Sequence, residues 1–168
     1  MGMQEPLTAL MVSPPAASGQ QDGKERLLHA LVQLAAYLKE LETQSHLIHL
    51  NYEGSNFLSI HNFLKDQYEA HLEQFDTVAE LVRSMDMYMP MCACGLKEQI
   101  SPCFQNVKTY QGVGMLTAYL SNLEHLGQMA KDVEPLATDI GALDVANYMA
   151  DLVGAAFKGA WFIKASLR

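Results

Sequence analysis

The sequence predicts an all-α protein built as a four-helix bundle. Leucine-rich stripes recur at helical spacing through four long segments, no segment shows the alternation of a strand, and helix-stopping Pro and Gly residues fall between the stripes.

Residues 1–21 read as a flexible N-terminal tail, because Pro6, Pro14 and Pro15 among Ala, Ser, Gly and Gln give no amphipathic period. Asp22 with Glu25 three later resembles a capping box. The stripe Leu27, Leu31, Leu34, Leu38, Leu41, Ile48 then predicts a long amphipathic helix ending near Asn51. Gly54 suits a helix stop, and Ser55 or Asn56 suits the next N-cap.

A second stripe, Phe57, Ile60, Leu64, Tyr68, Leu72, Phe75, Ala79, Val82, predicts a helix of roughly eight turns. Residues 85–104 break the pattern; Pro90, Gly95 and Pro102 mark a connection with room for a short helix. A third long helix is expected from about Val107 to Lys131, with Val113, Leu116, Leu120 and Leu123 inward and Pro135 ending it. The last is expected from about Ile140 to Leu167, carrying Leu143, Ala150, Val153, Phe157 and Trp161. Four capped helices of similar length with one long middle connection match the ferritin-like plan, an up-down bundle with one crossover, and argue against a simple coiled coil. The expected organisation is a tail over 1–21 and a ferritin-like four-helix bundle over 22–168, with a short helix or irregular segment in the long connection.

Composition narrows the function classes. About half of the 168 residues are hydrophobic, enough for one substantial core. Only 18% are charged, which hints at surface buried in an assembly. The net charge of −8 repels nucleic-acid phosphates and attracts cations. No run approaches transmembrane length, and no basic leader precedes the short apolar run Leu7–Val12, so a soluble, cytoplasmic protein is expected. Gly2 is not followed by the Ser or Thr of a myristoylation signal. Cys92, Cys94 and Cys103 are an odd set and are read as reduced thiols rather than a disulfide framework.

The chemistry-bearing stretch is His49–Glu80. His49 and His61 lie twelve residues apart with Gly54 between them, and Asp76 and Glu80 stand one helical turn apart. Two imidazoles and two carboxylates suit a borderline transition metal such as iron, manganese or zinc. An unpaired charge within an apolar helical pattern is costly, which is the reason to expect a metal.

His49, Gly54, Asn56-Phe57, His61, Asp76 and Ala79-Glu80, with Asp144-Val-Ala-Asn and Trp161-Phe-Ile near the end, resemble the Dps family of miniferritins over residues 22–168. The resemblance implies a hollow shell of twelve subunits with ferroxidase sites at two-fold interfaces. His49 and His61 would come from one subunit, and Asp76 and Glu80 from its partner. Iron(II) would be oxidised there, by hydrogen peroxide or oxygen, and stored as ferric mineral, protecting against oxidative stress. No organic cofactor is implied.

Lys65 departs from that pattern. It stands four after His61, where the family carries Asp or Glu, so it removes a ligand and adds a repelling charge. One reading pairs Lys65 with Asp76 or Glu80, leaving a degenerate site in a structural or metal-sequestering cage. Asp66 is rotated by about 100° and substitutes poorly. His46, one turn before His49, could join the site. His71 and His125 read as hydrogen-bonding core or interface groups.

Pores in the family's shells are lined by acidic residues near the start of the last helix. Asp139, Asp144 and Asn147 are the candidates, with a capping and solvated acidic turn as the plain alternative. The alternating methionines Met85, Met87, Met89 and Met91, followed by Cys92 and Cys94, suit either a soft-metal or redox-sensitive loop or pliable packing at a corner, the latter preferred. No basic residue precedes Lys24, and only Lys164 and Arg168 lie near the far end, so direct DNA binding is not expected.

Overall fold

The structure, a computed structural model, describes residues 16–168. Five helices account for most of it: α1 (Ala16–Asn51), α2 (Phe57–Ser84), the short α3 (Ala93–Lys97), α4 (Gly112–Asp139) and α5 (Leu143–Ser166). No strand occurs among the described residues. The four long helices form the expected bundle, and α3 is the short helix of the connection.

The expected tail over residues 1–15 lies outside the described residues, but residues 16–21 belong to α1. Asp22 and Glu25 therefore do not cap a helix start. They sit inside one, where the Gln21 amide donates to Glu25 Oε1 at 3.3 Å. Every member of the α1 stripe, from Leu27 to Ile48, is buried. Each such side chain contributes about 2 kcal/mol of apolar burial.

α1 packs along α2, α4 along α5, and α1 against α4. The start of α1 meets the end of α4, where a Cβ on Gly23 would lie 2.8 Å from Ile140; the end of α1 meets the start of α4, where Gly112 abuts Tyr52 and the Glu53 carbonyl. α1 and α4 are thus antiparallel. α2 begins at that same end of α1, so α2 and α4 run parallel. Residues 85–111 must therefore return along the bundle, a distance of about 42 Å for the 28 residues of α2.

A buried polar knot holds this crossover. The Gln105 N–H donates to Asn122 Oδ1 at 2.8 Å, Asn122 Nδ2 donates to the Gln105 carbonyl and to Gln44 Oε1, and Gln44 Nε2 donates to the same carbonyl. The Tyr37 hydroxyl donates to Asn122 Oδ1 at 3.2 Å, and Phe104 covers Tyr37 edge-on. No buried side-chain polar atom lacks a partner among the described residues.

Helix ends depart from expectation for local reasons. Pro135 does not end α4, which continues to Asp139. The proline forfeits one backbone bond, while the turn beyond it buries Ala137 and half-buries Leu136. The stop comes at Gly141, whose φ of +76° suits a residue without a Cβ; its N–H donates to Thr138 O and that of Ala142 to Ala137 O. The same double hydrogen bond ends α2, but with Asp86 at φ 69° in the glycine position. α4 starts at Gly112 rather than near Val107.

The outer helices turn a different face inward than the stripes suggested. In α5 the buried residues are Val145, Ala146, Met149, Leu152, Ala156, Gly159, Ala160 and Ile163. Leu143, Ala150 and Trp161 are exposed, Val153 is half-buried, and Phe157 lies at the margin. In α4, Leu116 and Leu123 are buried, Leu120 is half-buried and Val113 is 70% exposed. In α2, Ile60, Leu64 and Val82 are buried, but Phe57 and Leu72 are exposed, and Val78 and His71 take up the inner face. Small residues set the α4–α5 spacing: a Cβ on Gly127 would fall 2.7 Å from the Phe157 ring.

The cysteine reading is also corrected. Cys92 and Cys94 are joined as a disulfide, and Cys103 is a free, exposed thiol. No helix among the described residues is long and apolar enough to cross a membrane.

Candidate metal centre

His49 lies in the last turn of α1 and His61 in the first turns of α2, so the short corner over residues 52–56 folds them face to face. The rings stack with centroids 3.7 Å apart. His49 Nδ1 lies 2.7 Å from the His61 backbone oxygen, and His61 Nδ1 lies 3.0 Å from the His49 backbone oxygen. The arrangement arises where helix ends leave carbonyls without intrahelical partners, as that of His49 is. A carbonyl only accepts, so each Nδ1 carries the proton and donates. In the neutral ring the lone pair is then on Nε2, the atom that binds a metal while its partner nitrogen is oriented from behind.

Aromatic rings wall the pair. Phe57 stacks on His61 at 5.0 Å, Tyr68 meets His49 edge-on at 5.4 Å, and His46 stacks on Tyr68 at 4.1 Å. His46 is 6.1 Å from His49 by ring centroid and is held by Tyr68. Phe57 was legible as a stripe member and within the Asn56-Phe57 motif, and Tyr68 only as a stripe member; their ring contacts with the histidines were not. The rim is apolar and open: Leu50, Phe57 and Leu58 are all exposed.

Asp76 and Glu80 are exposed and make no ion pair among the described residues. They share one face of α2, but lie 15 and 19 residues beyond His61, about 22 and 28 Å along the helix. One chain therefore cannot gather all four, and no group of three or more His, Cys, Asp or Glu side chains suited to a metal occurs among the described residues.

Within the chain Lys65 pairs with neither Asp76 nor Glu80. Its Nζ lies 3.0 Å from Glu69 Oε1, one turn further from His61. The hydrogen bond and charge of Glu69 hold the Lys65 ammonium above the ordinary lysine value. Asp139, Asp144 and Asn147 are all exposed around the α4–α5 corner.

His71 is the other notable histidine of α2. It is 2% exposed, Nδ1 donates to Gln74 Oε1 at 2.9 Å, and Nε2 accepts from the Tyr119 hydroxyl at 2.8 Å. Desolvation by burial pushes its pKa down to about 4, and it pushes the Tyr119 phenol well up. His125 is half-buried and packs on Tyr37 at 5.3 Å.

The comparisons with known proteins agree with this architecture. The family model for the ferritin-like domain matches residues 28–168. Dps from Thermosynechococcus elongatus superposes with a TM-score of 0.84 at 19% identity, covering 90% of this chain and 96% of that one. Antigen TpF1 from Treponema pallidum gives 0.81 at 22% identity, covering 88% and 94%. The DPS protein from Vibrio cholerae, described as a member of a broad superfamily of ferritin-like diiron-carboxylate proteins, gives 0.80 at 18% identity, covering 88% and 92%. No match was found among curated proteins. The chain belongs to the ferritin-like domain family and has the fold of the Dps proteins.

Proposed function

We propose that this chain is a miniferritin subunit that oxidises iron(II) and stores it as ferric mineral inside a cytoplasmic cage of identical subunits. The observation that carries the reading is the reciprocal hydrogen bonding of His49 and His61, which leaves two adjacent Nε2 lone pairs for a metal. The exposed rim of Leu50, Phe57 and Leu58 supports a second copy docking over the pair. In this reading a two-fold neighbour brings Asp76 and Glu80 of the partner subunit, which make no ion pair among the described residues of their own chain. Carboxylate oxygen favours iron(III), and neutral imidazole holds iron(II) without adding charge. Two irons each give one electron to a single peroxide, whose O–O bond breaks without release of hydroxyl radical.

Asp139 and Asp144 would draw iron towards the shell, with Asn147 lowering the charge of the pore beside them, and the twelve-subunit assembly follows the Dps resemblance. The −8 charge argues against direct DNA binding.

The test is anaerobic loading with iron(II), then peroxide or, in a parallel sample, oxygen, with absorbance read for ferric product and native mass measured alongside. Fast, saturable oxidation by a twelve-subunit particle is expected. A stable dimer with nothing larger would remove the cage.

A second reading follows from Lys65, which supplies an ammonium where a carboxylate ligand is wanted and is drawn to Glu69: a sequestering cage with a degenerate ferroxidase site. On the first reading, Lys65→Asp raises an existing oxidation rate by about tenfold, the worth of roughly 1.4 kcal/mol. Oxidation no faster than buffer, appearing only in Lys65→Asp, would establish the second.

A further inference from the structure

The alternating methionines after α2 divide into two groups. Met85, Met87 and Met89 are half-buried and packed against the core, whereas Asp86 and Tyr88 between them are exposed. That stretch is packing, and it pins the chain to the end of the bundle. Met91 is 98% exposed, and Cys92 and Cys94 follow it into solvent. The anchored stretch thus ends in a projecting pair of sulfurs. They lie beyond the C-terminal end of α2, which starts beside the histidine pair and runs about 42 Å for its 28 residues.

We propose that Cys92 and Cys94 form a redox-active dithiol–disulfide site that reduces hydrogen peroxide and is restored by a dithiol reductant, independently of the iron chemistry. Three features support it. The sulfurs are joined, and their Cα atoms lie 5.4 Å apart, within the span a disulfide bridges, so oxidation and reduction need no large backbone movement. Both residues are exposed, so an oxidant and a second thiol can reach them. The Gly95 N–H donates to Cys92 Sγ at 3.2 Å, a contact that stabilises a thiolate at Cys92, and Cys94 has no such donor among the described residues. A Cβ on Gly95 would approach Pro90 at 3.2 Å, so the turn that carries this donor is closely packed.

The step balances. The Cys92 thiolate attacks one peroxide oxygen, the O–O bond breaks, and Cys92 sulfenic acid and water form once the leaving hydroxide takes a proton. The Cys94 thiolate attacks the sulfenic sulfur, the S–S bond forms and the second oxygen leaves as water. One peroxide gains two electrons and the dithiol loses two. Thiol–disulfide exchange with a dithiol returns the pair to the reduced form while the reductant becomes a disulfide.

The experiment uses the full chain, reduced with dithiothreitol, desalted and treated with a metal chelator so that no iron takes part. One equivalent of hydrogen peroxide is added, free thiols are alkylated, and the protein is cut with trypsin. Cleavage after Arg83 and Lys97 places the pair on one peptide and leaves Cys103 on the next as an internal standard. Loss of both alkylatable thiols from residues 84–97, about tenfold faster than loss at Cys103, is expected, and dithiothreitol should reverse it. In Cys94→Ser, dimedone should trap a sulfenic acid at Cys92 about tenfold faster than it traps Cys94 in Cys92→Ser. Persistent thiols on residues 84–97, oxidation of Cys103 at the same rate, or equal trapping in the two variants would overturn the proposal. Because iron is absent, none of these outcomes depends on the ferroxidase reading.

Discussion

α2 takes part in two histidine environments, one of them shared with the end of α1, that differ in what is left over. His71 is buried with both ring nitrogens engaged, by Gln74 and Tyr119. His49 and His61 engage one nitrogen each, through the other's backbone, and leave Nε2 uncommitted. A satisfied imidazole stabilises a fold; a half-satisfied one, aimed by its second nitrogen, is available for chemistry. The same residue type in the same helix thus serves two purposes, and hydrogen-bond inventory separates them better than burial does, since His49 is itself only 8% exposed.

The largest effect that tests this contrast belongs to the satisfied class. Asn122→Ala would leave Gln44 Oε1 and the Gln105 N–H without partners and take one of two acceptors from the Tyr37 hydroxyl, and should destabilise the chain by about 4 kcal/mol in urea unfolding. A loss below 1 kcal/mol would mean that water replaces the knot.

His71 should make stability depend on pH. Its folded pKa is about 4, below the unfolded value of 6.5, so below pH 6.5 the unfolded chain takes up a proton that the native chain refuses. The stabilisation is complete above pH 6.5 and falls as pH drops towards 4, by on the order of 3 kcal/mol in all. Unfolding midpoints measured across that window should flatten in His71→Gln. An unchanged slope would assign the acid sensitivity to other groups.

The uncommitted pair should show the opposite pattern. His61→Ala is expected to lower iron(II) oxidation at least tenfold, about 1.4 kcal/mol, while changing the unfolding midpoint by less than that in energy. A variant that unfolds readily yet oxidises iron normally would move His61 into the structural class.

The smallest effect lies at the other end of α2. Asp86 holds a positive φ that glycine adopts without strain, so Asp86→Gly should stabilise the chain by about 0.5–1 kcal/mol, read from thermal unfolding. No gain would indicate that the Asp86 side chain offsets the backbone cost.

Much of the architecture was legible in the residues. The α1 stripe Leu27–Ile48 is buried throughout, and the break after Ser84 does hold a short helix. The last helix was misread because an apolar residue carries no label for what covers it. Leu143 and Trp161 continue a helical period, yet the bundle buries the smaller residues beside them. Pro135 was given too much weight as a stop signal against the burial of Ala137. At the candidate site, the spacing of His49 and His61 drew attention to the right corner. The Phe57 and Tyr68 contacts and the Lys65–Glu69 pairing depend on rotamers that no spacing encodes. Asn122 was missed because its partners lie 17 to 85 residues away in the chain.

The crossover carries a consequence for the order in which this chain acquires structure. Contact between His49 and His61 closes twelve residues, whereas Tyr37 reaches Asn122 across 85. Chain entropy makes the longer closure costlier by about 2 kcal/mol. The first hairpin needs nothing downstream of Ser84, so during synthesis the histidine corner is the earliest tertiary feature the described residues can form, and the crossover knot that locks the bundle waits until α4 has left the ribosome.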